Sequence, residues 1–294
     1  MSDCADGASC SSCGSAESCS AEEKQRREEE QLQERLAHIK HSIVVMSGKG
    51  GVGKSTIAVN LAVSLTQQGL KVGLLDADIH GPNLPKMLGL DKSRLQATEG
   101  GIVPLEFIPG LSVVSMAFLL ESVDNPVVWR GPLKHTVIKQ FVADVQWGDL
   151  DCLVVDLPPG TGDEPLSAAQ VLKAVDGSVI VTTPQEVALL DSRKSVVFSQ
   201  QLKIPVIGIV ENMSGLVCPH CGKEIDLFKK GGGEIAAREL NVPFLGRVPI
   251  DPQIVVKGDA GEPYVIAFPE SQAAENLKQI ADKCLSFIEK KDTK

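Results

Sequence analysis

The sequence predicts an α/β protein with a doubly wound, mostly parallel sheet, and three observations indicate this fold. From residue 42 onward, short apolar segments alternate with longer helical ones, which is the order of a βαβ protein. Several short segments are almost continuously apolar, as expected for strands that helices cover on both faces. A glycine-rich loop separates the first strand from the first helix, and ligands bind such sheets at the carboxyl ends of their strands.

The chain divides into three predicted parts. Residues 1–20 form a Cys-rich tail of small and polar residues. This tail cannot bury enough surface to offset the entropy of ordering, so we expect it to be disordered unless a ligand organises it. Residues 21–41 carry charges of both signs and predict a short charged helix, and residues 42–294 form the domain. A narrow apolar stripe of that helix should dock weakly on the domain: Leu32, Leu36 and Ile39.

The elements of the domain follow from its apolar runs and helical segments. Strands are predicted at Ser42–Ser47, Lys71–Asp76, Leu111–Met116, Cys152–Leu157, Ser178–Thr183, Val206–Val210 and Phe244–Val248. Helices are predicted at Thr56–Leu65 and at about 133–146, 164–174, 187–202, 232–240 and 271–290. The last helix carries an apolar stripe among mixed charges, which favours packing on the core over a membrane anchor.

Composition restricts the class of protein. The 294 residues are 43% hydrophobic, which suits a single α/β domain with appendages. The net charge of −9 argues against a large nucleic-acid-binding face, because phosphate contacts need clustered lysine and arginine. No apolar run approaches the roughly 20 residues that span a bilayer, and no secretory signal precedes the domain. We therefore expect a cytoplasmic protein that binds neither nucleic acid nor membrane.

One segment of the sequence matches the pattern G-x-x-x-x-G-K-[ST], and it lies between the first predicted strand and helix. Glycines allow the backbone N–H groups to turn toward phosphates, and the helix N-terminus adds its dipole. Lys54 supplies charge to the β- and γ-phosphates, and the Ser55 hydroxyl is placed for Mg²⁺. The loop predicts a nucleoside triphosphate site made by Gly48, Lys49, Gly50, Gly51, Val52, Gly53, Lys54, Ser55 and Thr56.

Lys49 is an additional lysine that the general pattern does not require. With it, the loop resembles the deviant P-loop of the MinD/ParA/nitrogenase-iron-protein ATPases. In that family the lysine reaches across a dimer interface to the partner's nucleotide. The resemblance implies that two chains enclose ATP between them, while the alternative is a solvated loop lysine.

Carboxylates follow two further strands. Asp76 and Asp78 resemble the switch I aspartates of these ATPases, with Asp78 as the candidate for positioning water and Asp76 as a supporting group near Mg²⁺; turn or capping roles are the alternative. Asp156 ends a buried strand, as the Walker B carboxylate that holds the magnesium shell does. The run after it resembles switch II, in which the Gly160 N–H can donate to the γ-phosphate.

Asn212 follows a later strand and occupies the position whose family counterpart hydrogen-bonds adenine. Its amide has the donor and the acceptor that the N6/N7 edge of the base requires. The segment 249–252 resembles the loop that flanks the base. Simple turn roles are the alternative for both.

Cys218 and Cys221 form a C-P-x-C pair soon after Asn212. Two thiolates do not complete a four-sulfur site, but the same pair from a symmetry mate does. The shared site would suit a bridging [4Fe–4S] cluster or Zn²⁺, and a redox C-x-x-C is the alternative. The tail could hold a second cluster, or zinc, through its four cysteines: Cys4, Cys10, Cys13 and Cys19.

Together the motifs resemble the Mrp/ApbC-type P-loop iron–sulfur cluster carriers, of the nucleotide-binding-protein branch, over about residues 40–290. The resemblance implies a homodimeric, slow ATP hydrolase that assembles a labile [4Fe–4S] cluster at Cys218 and Cys221 and passes it to apo-proteins. The tail matches the branch in C-x2-C-x5-C, but Cys4 lies closer to Cys10 than in eukaryotic members.

Three other classes remain open. The first is a MinD/ParA-like positioning ATPase that acts on membrane or nucleoid, which would need an amphipathic C-terminal anchor or a basic patch. The second is an electron donor like dinitrogenase reductase, whose cluster cysteines lie singly on separate loops. The third is a regulatory ATPase whose two chains are tied by zinc.

Overall fold

The computed structural model describes residues 21–78, 81–119, 139, 142–172, 175–218 and 220–293. Its strands are β1 (Ile39–Ser47), β2 (Val72–Asp76), β3 (Gln96–Thr98), β4 (Gly101–Val103), β5 (Leu105–Ile108), β6 (Leu111–Ser115), β7 (Leu150–Asp156), β8 (Gly177–Thr182), β9 (Val206–Glu211), β10 (Leu216–Val217), β11 (Glu224–Ile225) and β12 (Phe244–Arg247). Its helices are α1 (Ala21–Ala37), α2 (Lys54–Gln67), α3 (Leu84–Met87), α4 (Asp163–Val171), α5 (Glu186–Gln201), α6 (Gly232–Glu239), α7 (Pro252–Ala260), α8 (Tyr264–Ala267) and α9 (Gln272–Asp292).

Eight of these strands form one sheet in the order β12-β9-β8-β1-β7-β2-β6-β5. Every pair in it is parallel except β5 with β6, which is antiparallel at one edge. Helices α2, α3, α8 and α9 pack on one face, and α1, α4, α5 and α6 pack on the other. This doubly wound, mostly parallel sheet confirms the predicted fold class, and the apolar strands are buried because both faces are covered.

The sheet brings the polar motifs together at the carboxyl ends of its strands. The phosphate-binding loop connects β1 to α2, and β1 lies between β7 and β8. Asp76 ends β2 directly opposite Asp156, which ends β7. Glu211 ends β9, two strands from β1. Because parallel strands place their carboxyl ends together, residues far apart in sequence meet around this loop.

The C-terminal helix α9 packs on the core as predicted. Its stripe is buried, with Leu277, Ile280, Cys284 and Ile288 all at most 2% exposed, and the Ser271 hydroxyl caps its N-terminus by accepting the Ala274 N–H at 3.2 Å. Among the described residues, no helix combines the length and apolar character needed to cross a membrane.

The charged helix differs from the prediction at its end. It stops at Ala37 and β1 begins at Ile39, so Ile39 belongs to a strand and not to the apolar stripe. Leu32 is only 2% exposed and Leu36 packs beside it, which shows that the remaining stripe contacts the domain. The tail of residues 1–20 lies outside the described residues.

Several short elements were not predicted. They are the hairpins β3–β4 and β10–β11, the edge strand β5, and the helices α3, α7 and α8. Most of the helix predicted at about 133–146 lies outside the described residues, although 142–144 are helical. The start of helix α7 could have been predicted from its sequence. Asp251 caps its N-terminus by accepting the Gln253 N–H at 2.8 Å, and Pro252 follows at the first helical position.

Candidate functional site

The phosphate-binding loop opens into a cavity of about 440 Å³. Lys49, Lys54, Ser55 and Asp78 are among the residues that line it. Helices α3 and α7 also line it, through Met87 and Ile254 among others. These two unpredicted helices therefore shape the cavity, which has room for a nucleotide-sized ligand.

Two glycines of the loop are required by close packing. Gly53 has a φ of 82°, and a Cβ there would lie 2.1 Å from Nδ2 of Asn212. A Cβ on Gly48 would lie 2.2 Å from the backbone of Asp191 in α5. The loop therefore packs so closely against Asn212 and α5 that no side chain larger than glycine's hydrogen fits at these two positions.

Lys54 and Asp156 form the centre of the site. The Lys54 Nζ lies 2.6 Å from Oδ1 of Asp156, and the two side chains are 7% and 0% exposed. Oδ2 of Asp156 is buried and has no hydrogen-bond partner. Burial raises the pKa of Asp156, while the charge of Lys54 and hydrogen bonds from Lys54 and Ser55 oppose the rise. A buried oxygen without a donor is costly, and a cation would relieve that cost.

Asp76 completes a carboxylate pair beside this centre. Its side chain accepts hydrogen bonds from the Ser115 hydroxyl at 3.0 Å and from the N–H groups of Asp78 and Leu84 at 3.2 and 3.4 Å. Burial, and then the nearby charge of Asp156, raise the pKa of Asp76 well above its usual range. Protein donors engage both Asp76 oxygens, so this residue supports the site from within the core.

Asp78 lies nearer the opening. Its Oδ2 is 4.0 Å from the Lys54 Nζ, and its Oδ1 accepts the Gly81 N–H at 3.2 Å. Residues 79 and 80 of the loop that was compared with switch I lie outside the described residues. Asp78 thus points toward the lysine that the motif assigns to phosphates.

Gly160 differs from the expectation drawn from switch II. Its N–H donates to the Ser47 carbonyl at 2.8 Å, and its φ is 97°. In this conformation the group predicted to contact a γ-phosphate is engaged by the end of β1. Contact between the Gly160 N–H and a γ-phosphate would require this hydrogen bond to break, and it remains a prediction.

Asn212 is buried, and its Nδ2 donates to the Val52 carbonyl within the phosphate-binding loop at 2.9 Å. Here the amide contacts the loop itself. In the flanking segment, Asp251 caps α7 and accepts a hydrogen bond from the Tyr264 hydroxyl. The adenine role of Asn212 remains a prediction.

Cys218 and Cys221 lie at the tip of the hairpin β10–β11. Cys218 is partly buried, while Cys221 and the intervening His220 are exposed. The backbone N–H groups of His220 and Cys221, followed by the Cys221 side chain, lower the pKa of the Cys218 thiol. Such a turn favours the thiolate, which is the form that binds metal.

Within the described part of the chain, no cluster of three or more His, Cys, Asp or Glu side chains could hold a metal ion. Cys152 and Cys284 are buried in the core, where burial raises the pKa of both thiols, to about 12 for Cys284. Among the described residues, the hairpin pair therefore has no third side chain beside it that could help hold a metal ion. The tail cysteines lie outside the described residues: Cys4, Cys10, Cys13 and Cys19.

Comparison with known proteins places these features in a family. The family described as the NUBPL iron-transfer P-loop NTPase matches residues 38–285. The chain belongs to this family. Membership confirms the iron–sulfur carrier class of P-loop ATPase indicated by the motifs, and hydrolysis of a nucleoside triphosphate is the general activity of such an NTPase.

Curated relatives carry names of the same class. The iron–sulfur cluster carrier protein of Methanocaldococcus jannaschii is 50% identical over 260 residues, which cover 88% of this chain and 89% of the relative. The cytosolic Fe-S cluster assembly factor NUBP2 homolog of Nematostella vectensis is 48% identical over 252 residues, covering 84% and 93% of the two chains.

Solved structures agree with the fold. The nucleotide-binding protein of Archaeoglobus fulgidus, in complex with ADP and with cobalt found, is 40% identical and superposes with a TM-score of 0.73 over 84% of this chain and 95% of that one. The cell division ATPase MinD of Pyrococcus furiosus is 23% identical with a TM-score of 0.59 over 84% and 98% of the chains. At that identity the likeness to MinD concerns the fold alone.

Proposed function

We propose that this chain is an ATP-dependent carrier that binds a labile [4Fe–4S] cluster between two copies of itself and transfers the cluster to apo-proteins. One observation carries the proposal: an exposed hairpin presents two thiols, one with a lowered pKa, and no third ligand accompanies them in the described part of the chain. The names of the curated relatives support iron–sulfur cargo and client proteins. The cytosolic name of one of them supports a cytoplasmic location.

The shared site follows from ligand count. Cys218 and Cys221 of each protomer supply two thiolates, and two protomers supply the four that a cubane requires. A two-fold axis through the hairpin tips would place the four sulfurs around one cluster. Lys49 belongs to the same proposal, because its partly buried side chain lines the nucleotide cavity at the molecular surface, where a second chain could approach.

In the nucleotide site, the N–H groups of the loop would bind phosphates and Lys54 would neutralise them. Lys54 now contacts Asp156, so its Nζ would turn from this carboxylate toward the β- and γ-phosphates as nucleotide enters. Asp156 and Ser55 would then be available to hold Mg²⁺, a role that the unpartnered Oδ2 of Asp156 fits. Mg²⁺ supplies positive charge to the phosphate oxygens during hydrolysis.

The remaining carboxylates have distinct roles in this proposal. Asp78, close to Lys54 and to the opening, would orient the attacking water. Asp76 would support the magnesium shell from behind, since its own oxygens are occupied by protein donors. Slow hydrolysis would be coupled to loading or transfer of the cluster, and the tail cysteines would hold a second [4Fe–4S] cluster.

Mössbauer spectroscopy tests the cargo directly. Protein purified without oxygen and reconstituted with ⁵⁷Fe and sulfide should show a [4Fe–4S] signal, and Cys218→Ala should lose the part of it that belongs to the hairpin. His220→Ala is the matched control, because this exposed residue lies in the same turn without supplying a predicted ligand. Equal signals in wild type and Cys218→Ala, or zinc in place of iron, would reject the proposed cluster site.

A further inference from the structure

Glu211, the last residue of β9, is a fully buried carboxylate that contacts three separate parts of the chain. It accepts a hydrogen bond from the Ser214 hydroxyl at 2.5 Å, and from the N–H groups of Gly231 and Gly233 at 2.9 and 2.5 Å. Nε of Arg247 lies 3.4 Å from its Oε1. A buried charge is tolerated only with such compensation, so these contacts define where the carboxylate and its donors must lie.

The donors lie at the two ends of one segment. Residues 214–231, here called the cysteine loop, leave the core at Ser214, carry Cys218 and Cys221 on the hairpin, and return to α6 at Gly231. Glu211 thus ties the departing and returning ends of the cysteine loop to the end of β9. A carboxylate at the N-terminus of α6 also compensates the helix dipole.

The rest of the cysteine loop is held more weakly. Its departing side makes backbone hydrogen bonds, from Ser214 to Val248 and from Ile250 to Gly215. On its returning side, Lys229 and Lys230 form ion pairs that are largely exposed, and such pairs contribute little. A cavity of about 720 Å³ separates the hairpin from α9. Glu211 is therefore the main buried anchor of the returning side.

The phosphate-binding loop contacts the same strand end. Asn212, next to Glu211, donates to the Val52 carbonyl, and it leaves no space for a Cβ on Gly53. A displacement of the phosphate-binding loop must move Asn212 or break this contact. Glu211 would carry the same displacement to both ends of the cysteine loop, because it is covalently joined to Asn212 and bonded to Ser214, Gly231 and Gly233.

We propose that Glu211 is a positioning residue that couples occupancy of the nucleotide site to the placement of Cys218 and Cys221. The role rests on the proposed function, since it gives ATP a physical route by which to alter cluster binding. Glu211 itself touches neither nucleotide nor cluster in this scheme. Its removal should uncouple the two sites and leave each of them able to bind its own ligand.

Hydrogen–deuterium exchange of the full, cluster-free chain with and without ADP tests the coupling independently of iron. In wild type, ADP should slow exchange in the phosphate-binding loop and change exchange across residues 214–231 by about threefold or more. In Glu211→Gln, ADP should still protect the phosphate-binding loop, whereas the change across 214–231 should disappear. Glu224→Gln is the matched control, because it removes an exposed carboxylate from the hairpin itself and should behave as wild type.

Two results would overturn the proposal: no response of residues 214–231 to ADP in wild type, or the same response in Glu211→Gln. If Glu211→Gln does not fold, Ser214→Ala removes a single donor and should weaken the response partially. In reconstituted protein, the ratio of cluster transfer rates with and without ATP should fall toward one in Glu211→Gln. Because exchange needs no cluster, failure of the carrier proposal would leave this test readable.

Discussion

The nucleotide cavity and the cysteine hairpin lie at the same edge of the sheet, but they are built in different ways. Around the cavity, Lys54 and Asp156 are almost completely buried and bonded to each other, and Gly48 and Gly53 leave no space for a side chain. At the hairpin, Cys221 is exposed, and within the described part of the chain no other metal-binding side chain joins the two thiols. One site is built from buried groups of a single chain that bond to each other, and the other presents two thiols with no third ligand beside them among the described residues.

This difference follows from chemistry. Phosphate oxygens are bound by N–H groups and a lysine that one loop can supply. A cubane needs four thiolates, and it must leave again if it is cargo. In the proposed shared site, an exposed pair on a small hairpin would be completed by a second chain, which would let it hold a cluster and also release it. If this contrast is correct, substitutions in the closed nucleotide site should have larger effects than differences between the thiols of the open hairpin.

Lys54→Ala should have the largest effect. The variant should lose ADP binding by about 100-fold or more, because the loop lysine supplies the main charge to the phosphates. It should also lose about 3–5 kcal/mol of stability, the usual cost of leaving one partner of a buried ion pair alone. Isothermal titration calorimetry and chemical denaturation measure the two effects.

The double variant Lys54→Ala/Asp156→Asn separates charge burial from binding. It should recover most of the lost stability, because no uncompensated carboxylate remains, but it should not recover ADP binding. Recovery of both properties would show that Lys54 serves the fold and not the phosphates.

Gly53→Ala should have an intermediate effect. The added methyl group would meet Asn212 at a backbone φ that non-glycine residues rarely adopt, and we expect a cost of about 1–3 kcal/mol and tenfold or greater loss of ADP affinity. Gly50→Ala is the matched control, because nothing lies within 4 Å of a Cβ there. Equal affinities of the two variants would show that the loop is less constrained than its packing indicates.

The smallest effect concerns the hairpin. In metal-free protein at pH 7, Cys218 should react with iodoacetamide about three- to tenfold faster than Cys221, because its lowered pKa gives more thiolate. The difference should shrink as the pH rises, because Cys218 gains no further thiolate once it is fully ionised. Cys152 and Cys284 serve as internal controls that react only on unfolding, and mass spectrometry of the peptides measures the rates. Equal rates at pH 7 would contradict the role of the turn.

The main strands and the phosphate-binding loop could be predicted from the sequence because their signals are local. Val-rich strands covered on both faces, and the P-loop between a strand and a helix, need only the pattern of neighbouring residues. The boundary at Ile39 was missed because a strand residue that follows a helix can continue the helical spacing. Helix α7 was missed although Asp251 and Pro252 marked its start.

The features that were not predicted depend on contacts distant in sequence. Nothing near Gly160 shows that its N–H reaches the Ser47 carbonyl, and nothing near Asn212 shows that its amide reaches Val52. The buried contacts of Glu211 could not be predicted either, because two of its donors, Gly231 and Gly233, lie 20 and 22 residues further along the chain. Buried polar groups find partners wherever the fold brings donors, so their pairing requires the structure.

Native mass spectrometry of mixed dimers tests the shared cluster most directly. Wild-type chains are mixed with chains carrying Cys218→Ala and Cys221→Ala, distinguished by mass, and both carry substitutions that remove the tail cysteines. Wild-type homodimers should carry one cluster of four irons, and mixed dimers, with two thiolates instead of four, should carry none. Mixed dimers that retain a full cluster, or wild-type monomers that hold one alone, would contradict the shared site.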